Sequence, residues 1–281
     1  MLAAIGDLLT DVVVWTDRIR LGTDNPSSVH RCRGGSAANV AAAAASLVPA
    51  RFIGRVGDGP AGDALVAELG AAGVDVRVQR GGRTGTAIVV VDASGERTMF
   101  PDPGASAELA PVDAAWLVDV AVLHVPAYGV FADVAGPSLR DSAEVVRGAG
   151  GVVSVDVAAV SLVETVGRER FAAAVDALGP AFVFANREEA VALGMLEGAP
   201  AAACTWVIKD GVRDAVARSA AGEVRVAPEV SPEVRDTTGA GDAFAAGFLA
   251  AWMQAKALEG CLAAGHSLAA TVLATPGAER G

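Results

Sequence analysis

Six short, nearly uninterrupted apolar runs punctuate the chain, at residues 2–5, 52–56, 121–125, 152–155, 182–184 and 206–208. A strand buried on both faces reads as a continuous hydrophobic run, and such strands arise when helices cover both sides of a parallel sheet. Helical periodicity over 36–47, 59–72, 138–148, 168–178, 188–193, 241–255 and 256–274 supplies that cover. The pattern predicts an α/β fold of three layers, α/β/α, around a mostly parallel sheet. In such sheets ligands bind at the carboxyl ends of the strands. No internal repeat or low-complexity linker divides the sequence, so one domain spanning 1–281 is expected.

Two segments break the alternation. Residues 12–33 and 86–100 hold no good helix, and the second reads as a hairpin, TAIVVVD and ERTMF joined through ASG. Strands that leave the main sheet here and meet again would build a small β lid, from 12–33 and 84–103, beside the active face. A second hairpin, 215–218 and 223–226 turning through Gly222, suits an edge of the main sheet.

Composition narrows the function. With 52% hydrophobic and 20% charged residues the chain supports a packed core, which excludes disorder. The formal charge is −11 and no Lys/Arg cluster exceeds two residues, arguing against a nucleic-acid or anionic-membrane surface. Cys32, Cys204 and Cys261 are too scattered for a disulfide framework and read as buried thiols in a reducing cytosol. Nothing resembles a signal peptide or a membrane span, so a cytoplasmic protein is expected.

The strongest local signal is DTTGAGDAF, residues 236–244, leading directly into a helix. Gly239 and Gly241 permit a tight turn, and free N–H groups at the positive end of a helix dipole attract an anion. Asp242 in that first turn is badly placed as a mere neighbour of an anion. It suits a base that takes a proton from a hydroxyl attacking phosphorus. A plain helix cap accounts for the same residues.

GDLLTD (6–11) and RGGSAANVA (33–41) form a second constellation. Asp11 at a strand end, close backbone at Gly34 and Gly35, and the Asn39 amide suit a polyhydroxylated ligand, which needs donors and acceptors together. The alternative is Ser36 as N-cap with Asn39 a buried amide. NREE at 186–189 puts Asn186 and Glu189 on one helix face, able to hold the water shell of Mg²⁺ or to form a capping box. GDGPAG at 57–62 has the outline of a dinucleotide fingerprint, with Asp75 beyond it. Pro60, however, removes a needed N–H, and the motif follows a second strand, so a turn and helix start fit better. No P-loop, zincin, nucleophile-elbow or Cys/His metal spacing is present. His124 ends a strand where it could line a pocket, whereas His30 and His266 read as structural.

Taken in order, GDLLTD, GGSAANVA, FIGRVGDGPAGDALVAELGAAGVD, TGTAIVVVDASGERT, ANREEA, VIKDG, DTTGAGDAF and the closing PGA resemble the ribokinase-like (PfkB-type) carbohydrate kinases over nearly the whole chain. The resemblance implies a β lid over a sugar pocket and phosphoryl transfer from ATP to a sugar-type hydroxyl. It makes Asp242 the catalytic base and the backbone of Gly239, Ala240 and Gly241 the anion hole. Asp11, Gly34, Gly35 and Asn39 become sugar contacts. Lys209, Gly211 and Thr238 lie toward the nucleotide, and Asn186 and Glu189 organise Mg²⁺ through water. Asp214 stands where many members have glycine. Thr275 replaces a usual arginine and the chain ends at Gly281, which argues against a monovalent-cation site built on Asp236 and Thr238.

The expected activity is a sugar kinase. A nucleoside kinase is the alternative on the same fold, since TDNPSSVHRCRGG resembles the lid entry of pseudouridine-type members. A phosphosugar acceptor would need cations such as Arg31, Arg33, Arg83 and Arg97. Readings of another class are an NAD-dependent enzyme using 57–62 and a catalytically silent sugar-binding regulator. Exposed apolar lid edges predict a homodimer through the lid.

Overall fold

The computed structural model describes residues 1–93, 97–228 and 239–274. The first half contains β1 (Leu2–Gly6), β2 (Leu9–Trp15), β3 (Ser28–Gly34), α1 (Ser36–Ala45), β4 (Ala50–Val56), α2 (Pro60–Ala71), β5 (Asp75–Arg80), β6 (Thr84–Val91) and β7 (Arg97–Gly104). The second contains β8 (Val122–Pro126), α3 (Ala135–Gly148), β9 (Val152–Asp156), α4 (Val160–Val166), α5 (Arg168–Asp176), β10 (Phe182–Asn186) and α6 (Arg187–Ala192). It continues with β11 (Thr205–Lys209), β12 (Ala215–Ser219), β13 (Gly222–Val226), α7 (Ala240–Met253) and α8 (Leu258–Leu273).

Nine strands form the main sheet in the order β13-β12-β11-β10-β9-β8-β1-β4-β5. Every pairing from β5 through β11 is parallel, and only the terminal hairpin of β12 and β13 runs antiparallel. One face packs Phe52, Phe184, Phe248 and Leu262 under α1, α2, α7 and α8. The other packs Ile53, Leu123, Leu139 and Phe171 under α3 to α6. The three layers follow from the fully buried strands, whose residues 2–5 have no exposed surface at all.

A second, four-stranded sheet runs in the order β3-β2-β6-β7. It contains the two segments that broke the alternation, with slightly wider bounds than 12–33 and 84–103. Its strand β2 begins at Leu9, so Asp11 lies inside the small sheet and not at the end of a main-sheet strand. On one face Val12, Ile88 and Phe100 are aligned by register, with Val29 in the next row, and Ile88, Phe100 and Val29 are exposed. On the other face Asp11, Ala87, Val89 and Val91 are buried.

GDGPAG forms the turn into α2, with Gly59 as N-cap and Pro60 opening the helix. A side chain on Gly57 would lie 2.4 Å from the Thr84 backbone nitrogen, so that glycine serves packing. His124 does not line a pocket: it is fully buried, its Nδ1 is 3.1 Å from Ser154 Oγ, and burial lowers its pKa to about 4. His266 meets the Val226 carbonyl at 2.9 Å, as a structural histidine should. Cys204 and Cys261 are buried as expected, whereas Cys32, on the small sheet, is only half-buried. No helix among the described residues is long and apolar enough to cross a membrane.

Candidate active site

The carboxyl ends of the central strands converge on the start of α7. Pro126, Asp156, Asn186 and Lys209 are the last residues of β8, β9, β10 and β11, and register sets Pro126 beside Asp156 and Asn186 beside Lys209. Gly239 is the N-cap of α7 at φ 76°, a left-handed conformation that an L side chain resists, and Asp242 falls in the first turn. The N–H groups of that turn lack intrahelical acceptors and carry the positive end of the dipole.

Asp242 is gripped from α1. Ser36 Oγ donates to its Oδ1 at 2.6 Å and Asn39 Nδ2 to its Oδ2 at 2.9 Å. Ser36 is therefore not an N-cap; Gly35 occupies that position and makes no side-chain cap. Burial, the largest influence, raises the Asp242 pKa above the ordinary carboxylate value, and the Ser36 and Asn39 bonds partly offset it. Each carboxylate oxygen keeps a lone pair for a further donor, so the grip leaves the group able to accept a proton.

Asp11 reaches the same region. Its carboxyl lies over Gly34, where an added Cβ would fall 2.1 Å from Oδ1. Gly35, at φ 101°, brings α1 against the Asp7 carbonyl. Burial and the neighbouring Asp242 push Asp11 up to about 6, while Arg33 pulls it down. The two glycines thus act through close approach, as expected for this loop.

Asn186 and Glu189 form a full capping box. The Asn186 backbone and side-chain nitrogens donate to Glu189 at 2.8 Å each, and the Glu189 N–H donates to Asn186 Oδ1 at 2.9 Å. The structural reading of NREE is thus realised. Yet Glu189 is buried, and burial followed by the nearby Asp156 raises it to about 7. A carboxylate so stressed beside a second one is the setting a divalent cation relieves. Mg²⁺ asks only one or two carboxylates and keeps its waters. Among the described residues no group of three or more His, Cys, Asp or Glu could hold a metal unaided.

Lys209 turns inward. Its Nζ donates to Asp156 Oδ2 at 2.7 Å and lies 3.2 Å from where a Gly241 side chain would begin. The ammonium therefore sits under the first turn of α7, and its anionic neighbours outweigh burial to raise its pKa. Gly211 follows in the left-handed turn after β11, at φ 59°. Thr238, like Asp236 and Thr275, lies outside the described residues.

Ser36, Asp156, Tyr128 and Asp7 escaped the sequence reading. Tyr128 donates to the Ala158 carbonyl at 3.1 Å, and burial together with Asp156, Asp242, Glu189 and Asp7 raises its pKa. Burial alone lifts Asp7 to about 6. Ser36 had a usable signal, since it and Asn39 share a helix face at i, i+3.

The model of the pfkB family carbohydrate kinases matches residues 1–281. The chain belongs to the pfkB carbohydrate kinase family. It is a phosphotransferase acting on sugar-type hydroxyl groups, with the ribokinase-like fold of its relatives. This pfkB chain is 33% identical over 261 residues to the ATP-dependent ribose-1-phosphate kinase of Halopiger xanaduensis, covering 88% of this chain and 83% of that protein. It is 30% identical over 261 residues to the fructokinase of Klebsiella pneumoniae, covering 88% and 82%. The crystal structure of adenosine kinase from Sinorhizobium meliloti superimposes with a TM-score of 0.87 at 26% identity, covering 98% of this chain and 94% of that one.

Proposed function

We propose that the protein transfers the γ-phosphoryl group of Mg-ATP to a hydroxyl of a small, neutral carbohydrate, with Asp242 as general base. The observation that carries this reading is the placement of Asp242: half-buried, held at both oxygens, and in the first turn of the helix whose N-terminus faces the strand ends. Asp242 orients the acceptor hydroxyl and takes its proton as the oxygen attacks phosphorus. The Gly239, Ala240 and Gly241 backbone, with Lys209 beneath it, meets the charge developing on the transferred group. Glu189, through water and beside Asn186, would hold Mg²⁺, which neutralises phosphate charge when bound. Asp11 and the Gly34–Gly35 backbone bind sugar hydroxyls, and the small sheet covers them against water. Lys209 serves the phosphoryl end of the nucleotide, and Gly211 its strand-end loop.

The charge balance favours a neutral acceptor. Asp242 acts on Asp11, Asp156 acts on Glu189 and Asp242, and Asp7, Asp156, Glu189 and Asp242 all act on Tyr128. Of the cations that could greet a phosphosugar, Arg33 is engaged by Glu68 and Asn39, and Arg83 by Asp102. The likeness to an adenosine kinase supports a second reading, a nucleoside acceptor.

ADP release with Mg-ATP across pentoses, hexoses, sugar acids, sugar phosphates and nucleosides tests the reading. One class should stimulate it, and Asp242→Asn should lose about 10²-fold or more, the scale of a removed general base. Stimulation by none, with ATP bound, would count against an acceptor of these classes and move the reading toward a silent sugar-binding role. We also propose a homodimer through the exposed lid face of Val29, Ile88 and Phe100. Sedimentation of a monomer at micromolar concentration would refute it.

A further inference from the structure

Arg33, the penultimate residue of β3, is read from sequence as a cation for a phosphorylated acceptor. Its surroundings give it different work. The side chain is 17% exposed, against 51% for its partner Glu68 on α2, whose Oε1 lies 3.3 Å from Arg33 Nε. Its Nη1 donates to Asn39 Oδ1 at 2.9 Å, and Asn39 Nδ2 donates to Asp242 Oδ2 at 2.9 Å. Guanidinium has donors only, so the Asn39 atom it touches must be the amide oxygen, and the amide nitrogen must then point at Asp242. Asp242 itself already selects the amide nitrogen; the arginine holds the opposite end, so the Asn39 side chain is fixed from both sides.

We propose that Arg33 is a positioning residue for Asp242: braced by Glu68, it fixes the Asn39 side chain that holds the carboxylate. The proposal rests on the reading of Asp242 as base. Its charge serves the same end. Asp242 is faced by Asp11 from β2, Asp156 from β9, Lys209 from β11 and Tyr128 after β8. Arg33 is the cation that acts on both Asp11 and Asp242 from the α1 side.

Arg33→Met should lower kcat by about 10- to 100-fold, the scale of a reacting group displaced by an ångström. KM for ATP and for the acceptor should stay within about twofold, as expected when only transition-state stabilisation is lost. The acidic limb of kcat/KM should move to higher pH. Arg33→Lys, which keeps charge and one donor, should recover part of the rate. Combining Arg33→Met with Asn39→Ala should slow the enzyme no further than Asn39→Ala alone, since both sit in one relay. Glu68→Ala, on an exposed face, should give a milder loss of kcat in the same direction and serves if Arg33→Met does not fold. A raised acceptor KM with kcat intact would instead make Arg33 a substrate contact and overturn the proposal, as would an unchanged kcat or additive effects. Asp242→Asn run alongside separates the two failures: a fully active Asp242→Asn removes the base reading, whereas an inactive Asp242→Asn with a normal Arg33→Met removes only the relay.

Discussion

Replacing Lys209 by methionine isolates the ion pair at the centre of the site. Lys209 and Asp156 meet at 2.7 Å with side chains 14% and 8% exposed, so neither charge has water to fall back on. Methionine keeps most of the stem volume beside Phe184, and the cavity contribution is small. What remains is an Asp156 carboxylate whose other bond comes from the Ala158 N–H at 3.0 Å. Breaking a buried pair by removing one partner costs about 3–5 kcal/mol. For 281 residues that corresponds to a fall of about 5–9 °C in Tm, taking about 2 cal/mol/K of unfolding entropy per residue. Urea unfolding at pH 7 reads the loss as a shifted midpoint at constant slope. Adding Asp156→Asn should restore more than half of it, because asparagine keeps the bond to Ala158 and strands no charge. A loss below about 1 kcal/mol, or a double variant as unstable as the two single losses together, would refute the reasoning.

Three further outcomes are expected. Gly34→Ala puts a methyl 2.1 Å from Asp11 Oδ1, so Asp11 must swing aside and the acceptor KM should rise while ATP binding persists; unchanged acceptor kinetics would count against Asp11 as a sugar contact. Glu189 has its folded pKa raised to about 7 from an ordinary 4.5, so the folded state holds a proton the unfolded chain releases, and stability falls as pH rises through that window. Glu189→Gln should therefore gain on the parent, by on the order of 1–3 kcal/mol, between pH 4.5 and pH 8 in metal-free urea titrations, and a parallel pair of curves would contradict this. Gly247→Ala places a methyl 2.6 Å from the Ala264 carbonyl where α7 crosses α8. It should cost about 1–3 kcal/mol, the price of overpacking, in the same unfolding assay.

The sheet was legible in the sequence because its central strands are buried on both faces and so carry uninterrupted apolar runs. The strand β5 was not, since DVRVQR alternates and is charged, as an edge strand is. Short α4, VSLVETV, has too few turns to show a period. The site divides the same way. Local motifs located Asp242, Asn39, Asn186 and Glu189, but the bonds from Ser36 and Asn39 to Asp242 span 206 and 203 residues and exist only once the topology brings α1 beside α7. Lys209 was placed near the nucleotide by its motif, and its inward turn depends on Asp156, a strand-end acid with no motif to announce it.

The helix α1 reads SAANVAAAAA, and Ala37, Ala38, Ala41 and Ala44 are buried, as are Ala243, Ala245 and Ala246 on α7. Residues this small let two helices approach closely, and that closeness is what lets a serine and an asparagine with short side chains touch Asp242. Along this seam, then, the spacing of the two helices sets the geometry of the base: a larger side chain here would push Asp242 away from its holders as well as strain the packing. An engineer wishing to change the acceptor has almost no freedom in the alanines behind the base.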